Sequence, residues 1–220
     1  METVAKKSLL WVAVVLLCAV LLWAVRLGMV ELLSISARLT MQDWDFSQQA
    51  PPTSEVESVA QKLEWARFLA SDHPGPHEDI AYLSLMRFWM PDISSAEKKL
   101  QLQIGLSHIR MAIALRPVSP YSWTIMLLIK RDLGEYDDEF RHALHRSVEL
   151  GPWESELLTW LVDVGLSAWT VMPAAEQTLI LAIFARAQEQ QRSQVVETFL
   201  THMDDCAFQT QDDLPQVECQ

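Results

Sequence analysis

The chain has 220 residues, 50% of them hydrophobic and 21% charged, with a formal net charge of −12. Six glycines and no asparagine leave little for a phosphate-cradling loop and no N-linked glycosylation site. The first 33 residues carry Lys6, Lys7 and Arg26 against Glu2 and Glu31, which leaves 14 of the 17 basic and 27 of the 29 acidic side chains in the remainder. A body this acidic repels phosphate backbones through its long-range field, so nucleic acid is not an expected partner.

From Leu9 to Val25 the chain reads LLWVAVVLLCAVLLWAV, seventeen residues without a charge. That is the lower limit for crossing a bilayer, and Arg26 can snorkel while the apolar pattern continues past it. Trp11 and Trp23 stand near the two ends of the run, where interfacial tryptophans collect, and Lys6 and Lys7 precede it. The expectation is a single-pass anchor within 1–40, with a cytosolic N-terminus and the remaining domain across the membrane. A cleaved signal peptide is the competing reading. The run exceeds a secretory core of about 7–15 residues, and the small-residue stretch Ser34–Ala37 lies well beyond it.

Residues 41–53 read as a linker, because Pro51 and Pro52 cannot continue a helix. A helical body is expected over 54–205 and an acidic tail over 206–220. Ser54 and Glu57 have the spacing of a capping box, followed by Val56, Val59, Ala60 and Leu63 on one helical face. HPGPHED, from His73 to Asp79, reads as a turn, and a second helix should run to about Met90. Ser94 and Glu97 form another capping box, opening a helix that reaches Leu115. Pro117 stops it, Ser119 caps the next helix with Pro120 at its first position, and Gly134 supplies a left-handed end. Asp137 starts a helix that Gly151 and Pro152 terminate. Three further amphipathic helices are expected, around Leu157–Val162, Leu179–Phe184 and Val195–Leu200. Nothing alternates with period two over a useful length, so the body should be all-α.

Successive helices of this length suggest a repeat, and the tetratricopeptide pattern can be laid on the chain. With Pro117 at the terminal proline, Trp123 falls on the aromatic position of the next unit, Gly134 on its glycine and Tyr136 on a commonly aromatic position. Upstream, Gly105 and Ala112 take the small positions and Ile109 the large one between them. Leu127 and Lys130 depart from the pattern, and the spacing from Gly134 to Pro152 is one residue too long. The expectation is a tetratricopeptide-like stack of antiparallel helices. In it, Pro117 and Pro152 end hairpins, while Trp123, Phe140 and Trp153 pack one helix on the next. Trp123 is expected in the core rather than at a ligand site.

The stretch Arg116–Trp169 resembles the signature region of the VpsP family, small membrane-anchored proteins associated with bacterial exopolysaccharide biosynthesis. The resemblance is carried by Arg116–Pro117, Trp123, Lys130, LGEYD with Phe140, ELGPWE from Glu149 to Glu154, and Trp169. It implies a role in making or exporting an extracellular polysaccharide, at the bacterial inner membrane with a periplasmic domain. It brings no catalytic residues with it.

No catalytic signature is present: no nucleophile elbow, no Walker loop, no dinucleotide fingerprint and no HExxH. The nearest set to a metal site is His73, His77, Glu78 and Asp79, which the expected turn keeps off one face. Arg141, His142, His145 and Arg146 form a basic cluster that reads first as a solvated helix face. Trp65, Trp89, Trp153 and Trp160 suit sugar stacking or packing equally. Cys206 and Cys219 bracket the tail and can either bond or remain free thiols. The function expected is therefore a non-catalytic scaffold with no cofactor. Its partners would be the membrane, other proteins of a polysaccharide machine and the polysaccharide itself. An adaptor for another envelope process is the alternative, and a glycan-modifying enzyme a third reading.

Overall fold

The computed structural model describes residues 2–44, 50–91, 93–202, 207–211 and 214–218, with side chains described within 11–189. The body is all-α, as the periodicity requires. Helix α1 spans Glu2–Gln42, α2 Thr53–Leu69, α3 Pro74–Trp89 and α4 Ser95–Leu115. They are followed by α5 Pro120–Leu133, α6 Asp138–Leu150, α7 Ser155–Ala168 and α8 Ala174–His202. A single 3-10 turn, Trp169–Val171, joins the last two. In the tail, β1 (Ala207–Gln211) pairs antiparallel with β2 (Leu214–Glu218). Cys206 and Cys219 lie outside the described residues.

The packing of these helices follows a hairpin-repeat rule. Each helix from α1 to α5 packs on the next, as α7 does on α8, and α1 also touches α3, α3 touches α5, and α5 touches α7. The odd-numbered helices thus form an inner layer and the even-numbered ones lie outside it, the layering of helical-repeat stacks. The far half of α1 is itself the first inner helix. Its Ala37 and Met41 are buried against Val56, Val59 and Leu63 of α2 and Ile80, Leu83 and Met86 of α3.

Most helix ends fall where the caps were read. Ser94 accepts from the Glu97 amide at 3.2 Å, Ser119 from Ser122 and Asp137 from Phe140, and Gly134 closes α5 at φ 71°. Gly105 lies so tight between α3 and α5 that a Cβ would meet Ile129 Cδ1 and Ser84 Cβ at 3.1 Å. Trp123 is buried in the main core, and its indole Nε1 donates to the Pro117 carbonyl at 2.9 Å. Tyr136 lies edge-on to the buried Phe140, with ring centres 5.1 Å apart.

Four expectations need correction. Ser54 does not cap α2; the helix starts one residue earlier, after Pro52, and has no side-chain cap. The stretch His73–Asp79 is not a turn: His73 is the N-cap of α3 and accepts from the Gly75 amide at 3.2 Å. Pro74 and Pro76 are tolerated there because first-turn amides have no helical acceptor to lose. The two final helices are one, α8, since no glycine or proline interrupts Ala174–His202. Trp153 is no core residue; it stands 66% exposed in the turn before α7, with the Arg186 guanidinium 5.0 Å from its ring centre.

Candidate functional site

The inner layer encloses a cleft of about 530 Å³, lined from all four odd-numbered helices and the turns beside them. From α1 it takes Glu31 and Arg38, from α3 Glu78, Asp79 and Tyr82, and from α7 Glu156 and Trp160. Arg116, Ser119 and Tyr121 enter from the α4–α5 junction. Each reaches the cleft because inner helices present the same face at successive positions. Proline-ended turns bring the outer helices back without obstructing it.

Its electrostatics are set by the ion pairs of Arg38 and Arg116. Arg38 Nε donates to Asp79 Oδ1 at 2.8 Å, joining α1 to α3, and its Nη1 lies 3.7 Å from Glu31. Arg116 donates to Glu78 Oε2 at 2.5 Å, and Ser122 donates to the other oxygen of Glu78. Asp79 is buried, and among the described residues its Oδ2 has no hydrogen-bond partner. Burial pushes its carboxyl above the usual carboxylate range, a desolvation effect larger than the opposing pull of Arg38. Tyr82 and Trp160 stack at 6.3 Å, and Tyr121 is 39% exposed at the rim. The cleft therefore offers aromatic faces beside charged hydrogen-bonding groups, an arrangement that suits the apolar faces and hydroxyl edges of sugar rings.

Of the residues singled out in the sequence, His73, Glu78 and Asp79 of the metal candidate, Arg116 and Trp160 line this cleft, while the repeat signature lies elsewhere. Pro117, Trp123, Gly134, Tyr136, Phe140, Gly151 and Pro152 shape helix ends and core contacts. Gly151 meets Pro120, whose Cβ would lie 2.9 Å from an added Cβ. Of the four-residue metal candidate, His73 caps a helix, Glu78 and Asp79 pair with arginines, and His77 turns away from them. His77 Nδ1 instead lies 2.9 Å from His108 Nδ1 of α4. Among the described residues, no group of three or more His, Cys, Asp or Glu side chains could hold a metal ion. The basic cluster on α6 is a self-compensated surface: Arg141 pairs with Asp138, Arg146 with Glu149, and His145 lies 3.6 Å from Glu176.

A second constellation surrounds Lys130, which the repeat pattern marks only as a mismatch. Its side chain is fully buried, with Nζ 3.2 Å from Glu135, 2.9 Å from Asp137 and 3.0 Å from Glu139. Arg110 of α4 forks onto both oxygens of Glu139, at 2.8 and 2.6 Å. This network gives the LGEYDDEF stretch a structural meaning: its carboxylates close over a lysine that emerges from the apolar α5. The readable signal was a lysine inside the run TIMLLIKRDL with acids five, seven and nine residues on.

Comparison with protein-family models, with curated proteins and with solved structures finds no match to this chain.

Proposed function

We propose that the chain is a membrane-anchored, non-catalytic scaffold for bacterial exopolysaccharide synthesis or export, with an inner-membrane α1 and a periplasmic body. The resemblance of Arg116–Trp169 to the VpsP family supplies the pathway. The observation that carries the reading is the inner cleft, where Tyr82, Tyr121 and Trp160 stand beside Arg116 and the carboxylates of α3 and α7.

Retention of α1 is supported by its packing. Ser34 and Ala37, the ends of the small-residue candidate for signal cleavage, are 1% and 0% exposed within a continuous helix against the body. Cleavage after Ala37 would strip Val30 and Ala37 from their contacts with the body. On the other side, Leu16, Leu17, Leu21 and Leu22 are all more than half exposed, as a lipid-facing segment requires.

The test is secreted polysaccharide in a strain lacking the protein, complemented with the intact chain or with Tyr121→Ala plus Glu156→Gln. The proposal expects the intact chain to restore secretion and the cleft variant to restore less of it at equal abundance. Unchanged polysaccharide in the deletion strain would remove the pathway assignment and favour an adaptor for another envelope process. The buried, raised carboxyl of Asp79 favours one second reading, acid catalysis on a glycan. Release of new reducing ends from the native polysaccharide by purified protein, abolished by Asp79→Asn, would establish that reading instead.

A further inference from the structure

We infer that the body is seated on the bilayer by a second contact, the C-terminal end of α2, where Trp65 and Phe68 enter the interfacial layer beside α1. The inference rests on α1 being a membrane anchor and goes beyond the scaffold reading.

The two helices run antiparallel in a definite register. Trp44 Nε1 donates to Glu55 at 2.7 Å, Lys62 to the Ser36 hydroxyl at 3.0 Å, and Val30 is buried with Ala66 and Ala70. As α1 descends toward its charge-free run, α2 therefore descends with it. Arg26, the residue that ends the run, donates through Nε to the Leu69 carbonyl and through its terminal nitrogen to Asp72 at 3.3 Å. A guanidinium flanking a span snorkels to the headgroup level, so the carbonyl it caps must lie at that level too.

One helical turn above Leu69, about 6 Å along the axis, stands Trp65. The headgroup layer on each side of a bilayer is about 5–8 Å deep, enough to hold that turn. On the outer face of α2, Trp65 is 55% and Phe68 73% exposed, with their rings edge-to-face at 5.9 Å. Among the described residues no helix covers them. Glu64 is compensated by Arg67 at 2.7 Å and Asp72 by Arg26, so neither carboxylate approaches lipid as a bare charge. Tryptophan and phenylalanine at this depth have the chemistry of an interfacial aromatic belt. The bilayer, continuous with the face of α1, is the occupant. A contact at α2 as well as α1 fixes the tilt of the stack, and with it the direction in which the inner cleft opens.

The test uses the full chain in phosphatidylcholine vesicles, in a Cys18→Ala, Cys206→Ser, Cys219→Ser background. Spin labels are placed singly at Leu17→Cys, Phe68→Cys and Val171→Cys, the last in the 55% exposed turn at the far end of α7. Collision with oxygen and with a water-soluble nickel chelate is then compared. The inference expects the label at 68 to favour oxygen, between the deep label at 17 and the aqueous label at 171. A label at 68 as open to nickel as that at 171, with 17 still deep, would overturn the seating while leaving the anchor intact. Shielding of 68 from both reagents would overturn it in favour of a protein cover. A nickel-accessible label at 17 would show that α1 does not span, and the inference would fall with the anchor.

Discussion

Lys130 Nζ lies 2.9 Å from Asp137 Oδ2, so a lysine with no exposed surface is tied to the N-cap residue of the following helix. The same carboxylate group accepts from the Phe140 amide at 3.0 Å. One aspartate thus caps α6 and neutralises the cation beneath it, which locks the α5–α6 hairpin angle. Lys130→Met keeps the apolar stem and removes only the charge. It should cost about 1.5–3 kcal/mol, the range for hydrogen bonds to charged groups. The cost is limited because Glu135 and Asp137, 47% and 53% exposed, can return to water. Urea denaturation of the wild-type and variant proteins in the same detergent measures it, and an unchanged midpoint would contradict a stabilising role for the network.

The pH dependence of that network has a determined sign. The Arg110 fork, with Lys130 behind it, holds the Glu139 carboxyl down at about 2 from its usual 4.5. A carboxyl depressed by folding contributes stability that is complete above the unfolded value and is lost as pH falls through the folded one. Melting temperature should therefore drop between about pH 4.5 and 2, and Glu139→Gln should flatten part of that drop. Lys130 is shifted the other way: burial opposes its charge, but the bonds from Asp137, Glu139 and Glu135 win and raise it. Its contribution persists through neutral pH and fades only on strong alkalinisation.

How far the sequence could be read depended on whether a feature was local. Caps such as Ser94, Ser119 and Asp137 act within three residues, so spacing alone found them. Gly134 is legible for the same reason, because a left-handed residue ending a helix excludes most side chains. The cleft as a whole was not legible: Asp79 and Trp160 stand out singly, as a metal candidate and a stacking tryptophan, but they meet Arg38 and Tyr121 only after four inner helices stack. His73–Asp79 was misread because prolines break helices only where an amide is needed, and in a first turn none is. The sequence pattern places Trp123 and Trp153 alike after a proline turn, yet one is inside a helix and the other precedes one.

The His77–His108 contact should make the body acid-sensitive in a different window. His77 is lowered by burial and by Arg67, and His108 by burial and by the neighbouring His77. Glu64 on α2 acts in the opposite direction on both rings without reversing either shift. A histidine lowered by folding favours the neutral form, so stability is complete above the usual value of 6.5 and declines as pH falls below it. Melting curves at pH 7.5 and 5.5 should differ, and His108→Gln should reduce the difference. Identical dependence in the variant would place the titration elsewhere.

The two tryptophans that the sequence aligns provide the sharpest contrast. Trp123 is 8% exposed, donates to the Pro117 carbonyl and meets His142 edge-on at 5.2 Å, so truncation removes both core volume and a tie across the turn. Trp123→Ala should cost about 3–5 kcal/mol, as large-to-small changes of buried aromatics do. Trp153 touches the guanidinium of Arg186 from an exposed position, a contact of about 0.5–1 kcal/mol. Trp153→Ala should therefore melt within a few degrees of wild type, while Trp123→Ala should lose most of its cooperative transition. Comparable losses in both would mean that the turn before α7 is buried in the assembled protein, where another surface covers Trp153.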